Sequence, residues 1–155
     1  MQTTEERNVR DGPDGAASNA RTHGSAQMRR GRPMERTWFA FGCLLMVAGV
    51  AAAAFAAHGL KARLSADNLE IWQTAARYHI YHALALLAVA YAAHRWSNGL
   101  ATLAGWLFIA GIVVFSGSLY VLSVSGIKWL GAVTPLGGLC FLAGWASLGA
   151  AAWRG

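Results

Sequence analysis

His58, Arg77, His79, His82, Ser116, Ser118, Tyr120 and Thr134 are polar or ionisable side chains lodged in or beside long apolar runs. His79 and His82 lie three apart, so on a helix they share a face. With His58 they could supply three nitrogens to a metal ion, or axial ligands to a haem held between helices. No carboxylate or cysteine accompanies them at ligand spacing. The plainer chemistry is hydrogen bonding to Ser118, Tyr120 or Thr134, which would fasten helices to each other. That is the expectation, with no cofactor required; haem or metal on His58, His79 and His82 is the alternative. A proton relay would need an acidic partner, and the apolar runs contain no Asp or Glu. The glycines around Ser116–Ser118 form no phosphate loop, since no strand precedes them and no lysine follows. No nucleophile–base–acid set suits hydrolysis, so a catalytic role is not expected.

The elements that position these residues are read from where charge is missing. Of 155 residues, 55% are hydrophobic and 13% charged. Thr37–Ala57, Tyr78–Ala93, Gly99–Ser125 and Leu130–Trp153 contain no Asp, Glu, Lys or Arg. Such runs approach the roughly 20 residues that cross ~30 Å of hydrocarbon. Soluble helices would carry a polar face, and these do not. The fold class predicted is all-α: four transmembrane helices over about 37–57, 78–93, 100–123 and 130–153. Short connections make neighbours antiparallel, giving an up-down bundle.

Gly59 is the expected stop of the first helix. Asp67-Asn-Leu-Glu70 resembles a capping box, and Leu69, Trp72 and Ala76 recur on one face. A short interfacial amphipathic helix before the second span follows. Pro135 crowds the carbonyl of Gly131, and with Gly137 and Gly138 it predicts a bend or fresh start in the fourth helix. Tryptophans 38, 96, 129 and 153 fall near helix ends, as interfacial anchors do. Small residues recur every seven positions: Gly42, Gly49 and Ala56; Ala76, Ala83 and Ala90; Ala104, Gly111, Ser118 and Ser125. Such stripes let helix backbones approach closely.

The formal net charge of +6 has its source at one end. Residues 1–36 hold seven arginines against five acids and few apolar residues. Residues 1–33 are therefore expected to be a disordered basic extension, and 34–155 the membrane domain. Arg29-Arg-Gly-Arg32 reads as an anchor at anionic lipid, not as a nucleic-acid patch. Translation from Met34 would remove it. A signal peptide cleaved after Ala54-Phe-Ala-Ala57 is the competing reading, disfavoured because His58-Gly-Leu is no polar mature start. Arg36, Arg95 and Arg154 join the tail arginines on one side, against Lys61, Arg63, Arg77 and Lys128 on the other. Both termini are thus expected to be cytoplasmic. Cys43 and Cys140 lie in apolar runs and imply no disulfide.

Antiparallel helices bring the end of helix 1, the start of helix 2, the end of helix 3 and the start of helix 4 to one membrane face. One leaflet should therefore hold the polar cluster and the other nearly pure hydrocarbon.

Three pieces together resemble the YgdD/YwdK family of small bacterial inner-membrane proteins, whose function is not established. They are Ala54-Phe-Ala-Ala-His-Gly-Leu60; Trp72-Gln-Thr with Tyr78-His and His82-Ala-Leu-Ala-Leu-Leu87; and the block Phe115–Trp145. The resemblance covers about Met34 to Trp153, with Ala56 where the family usually has Gly. It implies four helices and a multi-pass inner-membrane location, and it supplies no activity. The expected role is non-enzymatic: binding or supporting another membrane component, with the bilayer, another membrane protein or a second copy as partner. A small-solute carrier or channel is the alternative.

Overall fold

The computed structural model describes residues 33–96 and 98–155. The expected disordered extension, apart from Pro33, lies outside the described residues. Among these, every regular element is helical. Helix α1 is α-helical over Pro33–Phe55 and closes with a π turn over Ala56–Leu60. Helix α2 spans Ala66–Arg95. Helix α3 is α-helical over Leu100–Gly111, π-helical over Ile112–Ser116 and α-helical again over Gly117–Ser125. Helix α4 spans Leu130–Trp153. Three are long and apolar enough to cross a membrane: Met34–Leu60, Leu100–Ser125 and Leu130–Trp153.

Local chemistry sets the ends. Pro33 opens α1, where its missing N–H costs nothing, and Glu35 sits in the first turn against the positive end of the helix dipole. The expected stop at Gly59 is not left-handed, because the only positive φ among the described residues belongs to Gly126. The backbone instead stays right-handed to Lys61. Gly59 is needed for room: a Cβ there would strike the Phe55 ring.

The α2 cap also differs from expectation. Ser65, not Asp67, is the N-cap, and its hydroxyl accepts from the Asn68 N–H at 3.3 Å. The amphipathic stretch and the second apolar run are one uninterrupted 30-residue helix. At 1.5 Å per residue it is ~45 Å long. Gly126, at φ 70°, ends α3 in the left-handed conformation and donates its N–H to the Leu122 carbonyl.

Pro135 neither breaks nor restarts α4, which is one α-helix from Leu130. The proline removes one backbone bond near the helix start, and the Thr134 hydroxyl donates to the Leu130 carbonyl at 3.2 Å. Gly137 has a different reason to be there: a Cβ would meet the backbone nitrogen of Phe115.

Contacts between helices fix an up-down order. Gly42 lies on Ala83, Leu86 and Leu87, and Gly49 on His79 and Ile80, so α1 runs antiparallel to α2. His82 meets Phe108, Tyr78 meets Phe115 and Trp72 meets Tyr120, which makes α2 antiparallel to α3. Gly144 faces Phe108, Gly111 faces Phe141 and Gly131 faces Leu122, so α3 is antiparallel to α4. Asn98 ties the α2–α3 turn to the end of α4 by donating its amide to the Ala151 carbonyl at 2.9 Å.

The core holds Trp38, Leu86, Val89, Ala104, Phe108, Ile112 and Phe141. Trp38 corrects an expectation: it is 1% exposed, laid on Gly105. Its ring reaches Trp106 edge-on at 5.4 Å. The missing Cβ of Gly105 creates a slot that draws the indole inward from a helix end. Trp129 and Trp153 are exposed, as interfacial anchors require. The seven-residue stripes are mostly real, since Ala56, Ala76, Ala83, Ala90, Ala104 and Ser118 are buried, whereas Ser125 is exposed. Cys43 and Cys140 are both free.

Candidate functional site

His82 sits at the meeting point of α2, α3 and α4. Its Nδ1 lies 2.8 Å from the Tyr78 carbonyl, one turn earlier on the same helix. The Trp145 indole donates to its Nε2 at 3.3 Å. An indole N–H can only donate, so Nε2 accepts and the proton resides on Nδ1. Both nitrogens are therefore engaged by the protein. The ring stacks on Phe141 with centroids 3.4 Å apart and planes 6° apart.

Ser118 and Thr134 join α3 to α4. Their hydroxyl oxygens are 2.9 Å apart, with the Phe115 carbonyl 3.0 Å from Ser118 and the Leu130 carbonyl 3.2 Å from Thr134. Two hydroxyl protons are shared over three contacts: one hydroxyl donates to the other, which in turn donates to its own main-chain carbonyl. Ser123 likewise donates to the Tyr120 carbonyl at 2.9 Å.

His79 is less completely engaged. Its Nδ1 lies 3.5 Å from the Tyr120 hydroxyl, a long contact. Its Nε2 is buried with no partner at hydrogen-bond geometry, although the Leu45 carbonyl addresses the ring. Ser116 Oγ, at the end of the π turn in α3, is also buried and unpartnered. Trp72 roofs this corner, its ring tilted against Tyr120 with centroids 4.6 Å apart and its indole N–H donated to the Ala52 carbonyl at 2.8 Å.

Six of the eight cluster residues expected from sequence are therefore interior: His79, His82, Ser116, Ser118 and Thr134 are buried, and Tyr120 is half-buried. His58 and Arg77 are exposed. Among the described residues no group of three or more His, Cys, Asp or Glu is placed to hold a metal ion. The three-histidine arrangement is not assembled, and His82 has no free lone pair to offer. Trp72 and Trp145 entered the sequence reading as a face residue and as parts of the family resemblance, not as members of the polar cluster. The signal for Trp145 was its spacing: eleven residues after Thr134 is three helical turns, so both share a face of α4.

Two clefts flank the cluster, both between α1 and α2. One, of about 390 Å³, is lined by Glu35, Arg36, Phe39, Leu87, Ala90, Tyr91 and His94. The Glu35 carboxylate there lies 3.1 Å from His94 Nδ1. The other, of about 310 Å³, is lined by Ala53, Ala57, Gln73, Ala76, Arg77 and Ile80.

The chain is 47% identical over 111 residues to the UPF0382 membrane protein YwdK of Bacillus subtilis, covering 71% of this chain and 90% of that protein. It is 43% identical over 107 residues to the UPF0382 membrane protein SH2409 of Staphylococcus haemolyticus, covering 69% and 87%. It is 42% identical over 113 residues to SSP2132 of Staphylococcus saprophyticus, covering 73% and 93%. No solved structure matches. The family model described as "Protein of unknown function (DUF423)" matches residues 52–138, which hold most of the buried polar cluster. On this similarity and on its apolar helices, the chain is a membrane protein and belongs to the DUF423 family, alongside YwdK.

Proposed function

We propose that the chain crosses the bacterial inner membrane four times with both termini cytoplasmic. In this reading it works without catalysis, by binding or supporting another membrane component. The observation that carries the non-catalytic reading is the saturation of His82. One nitrogen is held by the Tyr78 carbonyl and the other by the Trp145 indole. With Ser118 and Thr134 paired to each other, these three polar side chains are taken up in holding helices together.

The length of α2 supports its being the fourth span, with its first turns at the interface. Cytoplasmic termini rest on the count of basic residues in the sequence: Arg36, Arg95 and Arg154 alone do not outnumber Lys61, Arg63, Arg77 and Lys128, and the arginines preceding Pro33 tip the balance. The outward faces offer a membrane partner large apolar side chains, among them Leu136, Leu139 and Leu142 on α4.

Photo-crosslinkers placed at Leu139 and Leu142 in native membranes test the role. One protein adduct of fixed stoichiometry is expected. Adducts only to lipid would overturn it.

A second reading, carriage of a small solute, has one observation in its favour. His79 Nε2 and Ser116 Oγ are interior polar atoms without a partner at hydrogen-bond geometry. Solute flux in proteoliposomes that His79→Ala abolishes would favour it over the first.

A further inference from the structure

We propose that the cleft beside Arg77 binds one phospholipid. The phosphate would rest on the Arg77 guanidinium and the Gln73 amide, and an acyl chain would lie along Ala53, Ala57, Ala76 and Ile80. This rests on α2 spanning the membrane.

The argument starts from charge. Among the described residues the only ion pair joins His94 and Glu35, so Arg77 has no carboxylate partner. Arg77 is exposed, yet it shares its cleft with the half-buried Ala53. Ala53 lies seven residues before the end of α1 at Leu60, or ~10 Å at helical rise. A cation at that depth needs an anion or a route to the headgroups, and a long arginine stem provides the reach. Guanidinium matches phosphate with two parallel N–H···O bonds. Gln73 lines the same cleft one turn nearer the membrane surface and adds a neutral donor.

The walls argue for a lipid over a lone anion. A volume of about 310 Å³ bounded by three alanines and an isoleucine far exceeds one phosphate and suits a hydrocarbon chain. The cleft lies beside two close contacts between α1 and α2. Gly49 lies against Ile80 and His79, and the Trp72 indole donates to the Ala52 carbonyl. Ala53 and Ile80 line the deeper part of the space, while Gln73 and Arg77 stand toward its surface end, an order that suits an amphiphile.

The test uses the purified full chain, delipidated in mild detergent. It is titrated with phosphatidylglycerol, phosphatidylcholine or diacylglycerol of the same chains, and native mass spectrometry reads the first bound lipid. Both phospholipids should bind at one tight site, with diacylglycerol about tenfold weaker or more, as expected for losing a charged hydrogen-bonded contact. Arg77→Gln should weaken both phospholipids by a similar factor, and Arg77→Lys by less. Arg36→Gln, in the other cleft, should change nothing. Ala57→Phe, which fills the cleft with Arg77 intact, should also lose the lipid. A thermal midpoint for each variant separates these effects from misfolding.

Equal binding of diacylglycerol, or undiminished binding by Arg77→Gln, overturns the proposal. So does Arg77→Gln splitting a dimer without loss of lipid, because the anion would then be a protein carboxylate. Lys61→Cys and Arg154→Cys, each in a Cys43→Ala/Cys140→Ala background, report the topology separately. Labelling of both by an impermeant maleimide from one side would sink the four-span reading whatever the lipid result.

Discussion

Two seams of the bundle are built on different terms. Between α3 and α4, glycines lie under rings or backbone: Gly111 under Phe141, Gly144 under Phe108, and Gly137 against the Phe115 main chain. The Ser118–Thr134 hydroxyl pair closes the same seam. Between α1 and α2 there are also glycine contacts, at Gly42 and Gly49, but the seam opens into a cleft toward each end. Lipid supplies no hydrophobic push between helices, so association depends on close packing and on polar groups that meet. Where both occur the seam closes. Where α1 meets α2, charged residues border the spaces left over, and those spaces are where a ligand of the bilayer can enter.

The largest expected effect follows from what each glycine faces. Gly137→Ala drives a Cβ into the backbone of Phe115, which no side-chain rotation can relieve. It should cost about 3 kcal/mol, the upper part of the usual overpacking range. Gly42→Ala puts a Cβ 2.7 Å from the end of the Leu87 side chain and 3.1 Å from the Ala83 carbonyl. Leu87 also lines the 390 Å³ cleft and has room to turn away, so the cost should be about 1 kcal/mol or less, below the overpacking range. Unfolding in mixed micelles of increasing denaturing detergent reads both. Equal losses would remove the distinction between the seams.

His82→Ala comes next. It empties the stack on Phe141 and removes the acceptor of the half-exposed Trp145 indole N–H. A loss of about 2–3 kcal/mol is expected from the cavity and the unsatisfied donor together. His58→Ala, at an exposed position, should leave the unfolding midpoint unchanged. If the two substitutions behaved alike, the histidines would not differ in the way their surroundings imply.

How far the chain's letters disclosed this arrangement depends on the range of the physics involved. Runs without charge are local, and they predicted helices over 100–123 and 130–153 that the structure has at 100–125 and 130–153. Antiparallel neighbours then turn His79, His82, Ser118 and Thr134 inward, and all four are buried, but His82 bonds to Tyr78 and Trp145 while the two hydroxyls bond to each other. What was illegible was settled by a partner far away in the chain. Trp38 looks like an interfacial anchor until Gly105 gives it a slot. Gly137 looks like a flexible joint until the Phe115 backbone is seen against it. The π turn over Ile112–Ser116 has no local marker at all. Ser65 was legible as a cap and was passed over, because Asp67 with Glu70 imitates the capping pattern two residues later.

Open positions should behave oppositely to closed ones. A Cβ on Gly117 meets nothing within 4 Å, and Gly117 is the first residue after the π turn. Alanine is the better helix former by roughly 0.8–1 kcal/mol in water. Gly117→Ala should therefore raise the unfolding midpoint, by an amount at or below that figure. A loss instead would mean that something occupies that face in the folded protein.

The smallest effect concerns the hydroxyl pair that closes the tighter seam. Ser118 and Thr134 look like glue, yet polar contacts between membrane helices average only about 0.6 kcal/mol when measured by double-mutant cycles. The reason is that each hydroxyl can fall back on its own helix. Ser118 already lies 3.0 Å from the Phe115 carbonyl and Thr134 3.2 Å from that of Leu130. Ser118→Ala and Thr134→Val should each cost little, and the cycle through the double variant should return a coupling near that average. A coupling several times larger would mean that the hydroxyls hold the seam and the glycines only permit it. A coupling near zero would assign its closure to Gly111, Gly137 and Gly144, and would leave the open α1–α2 seam distinguished from it by packing alone.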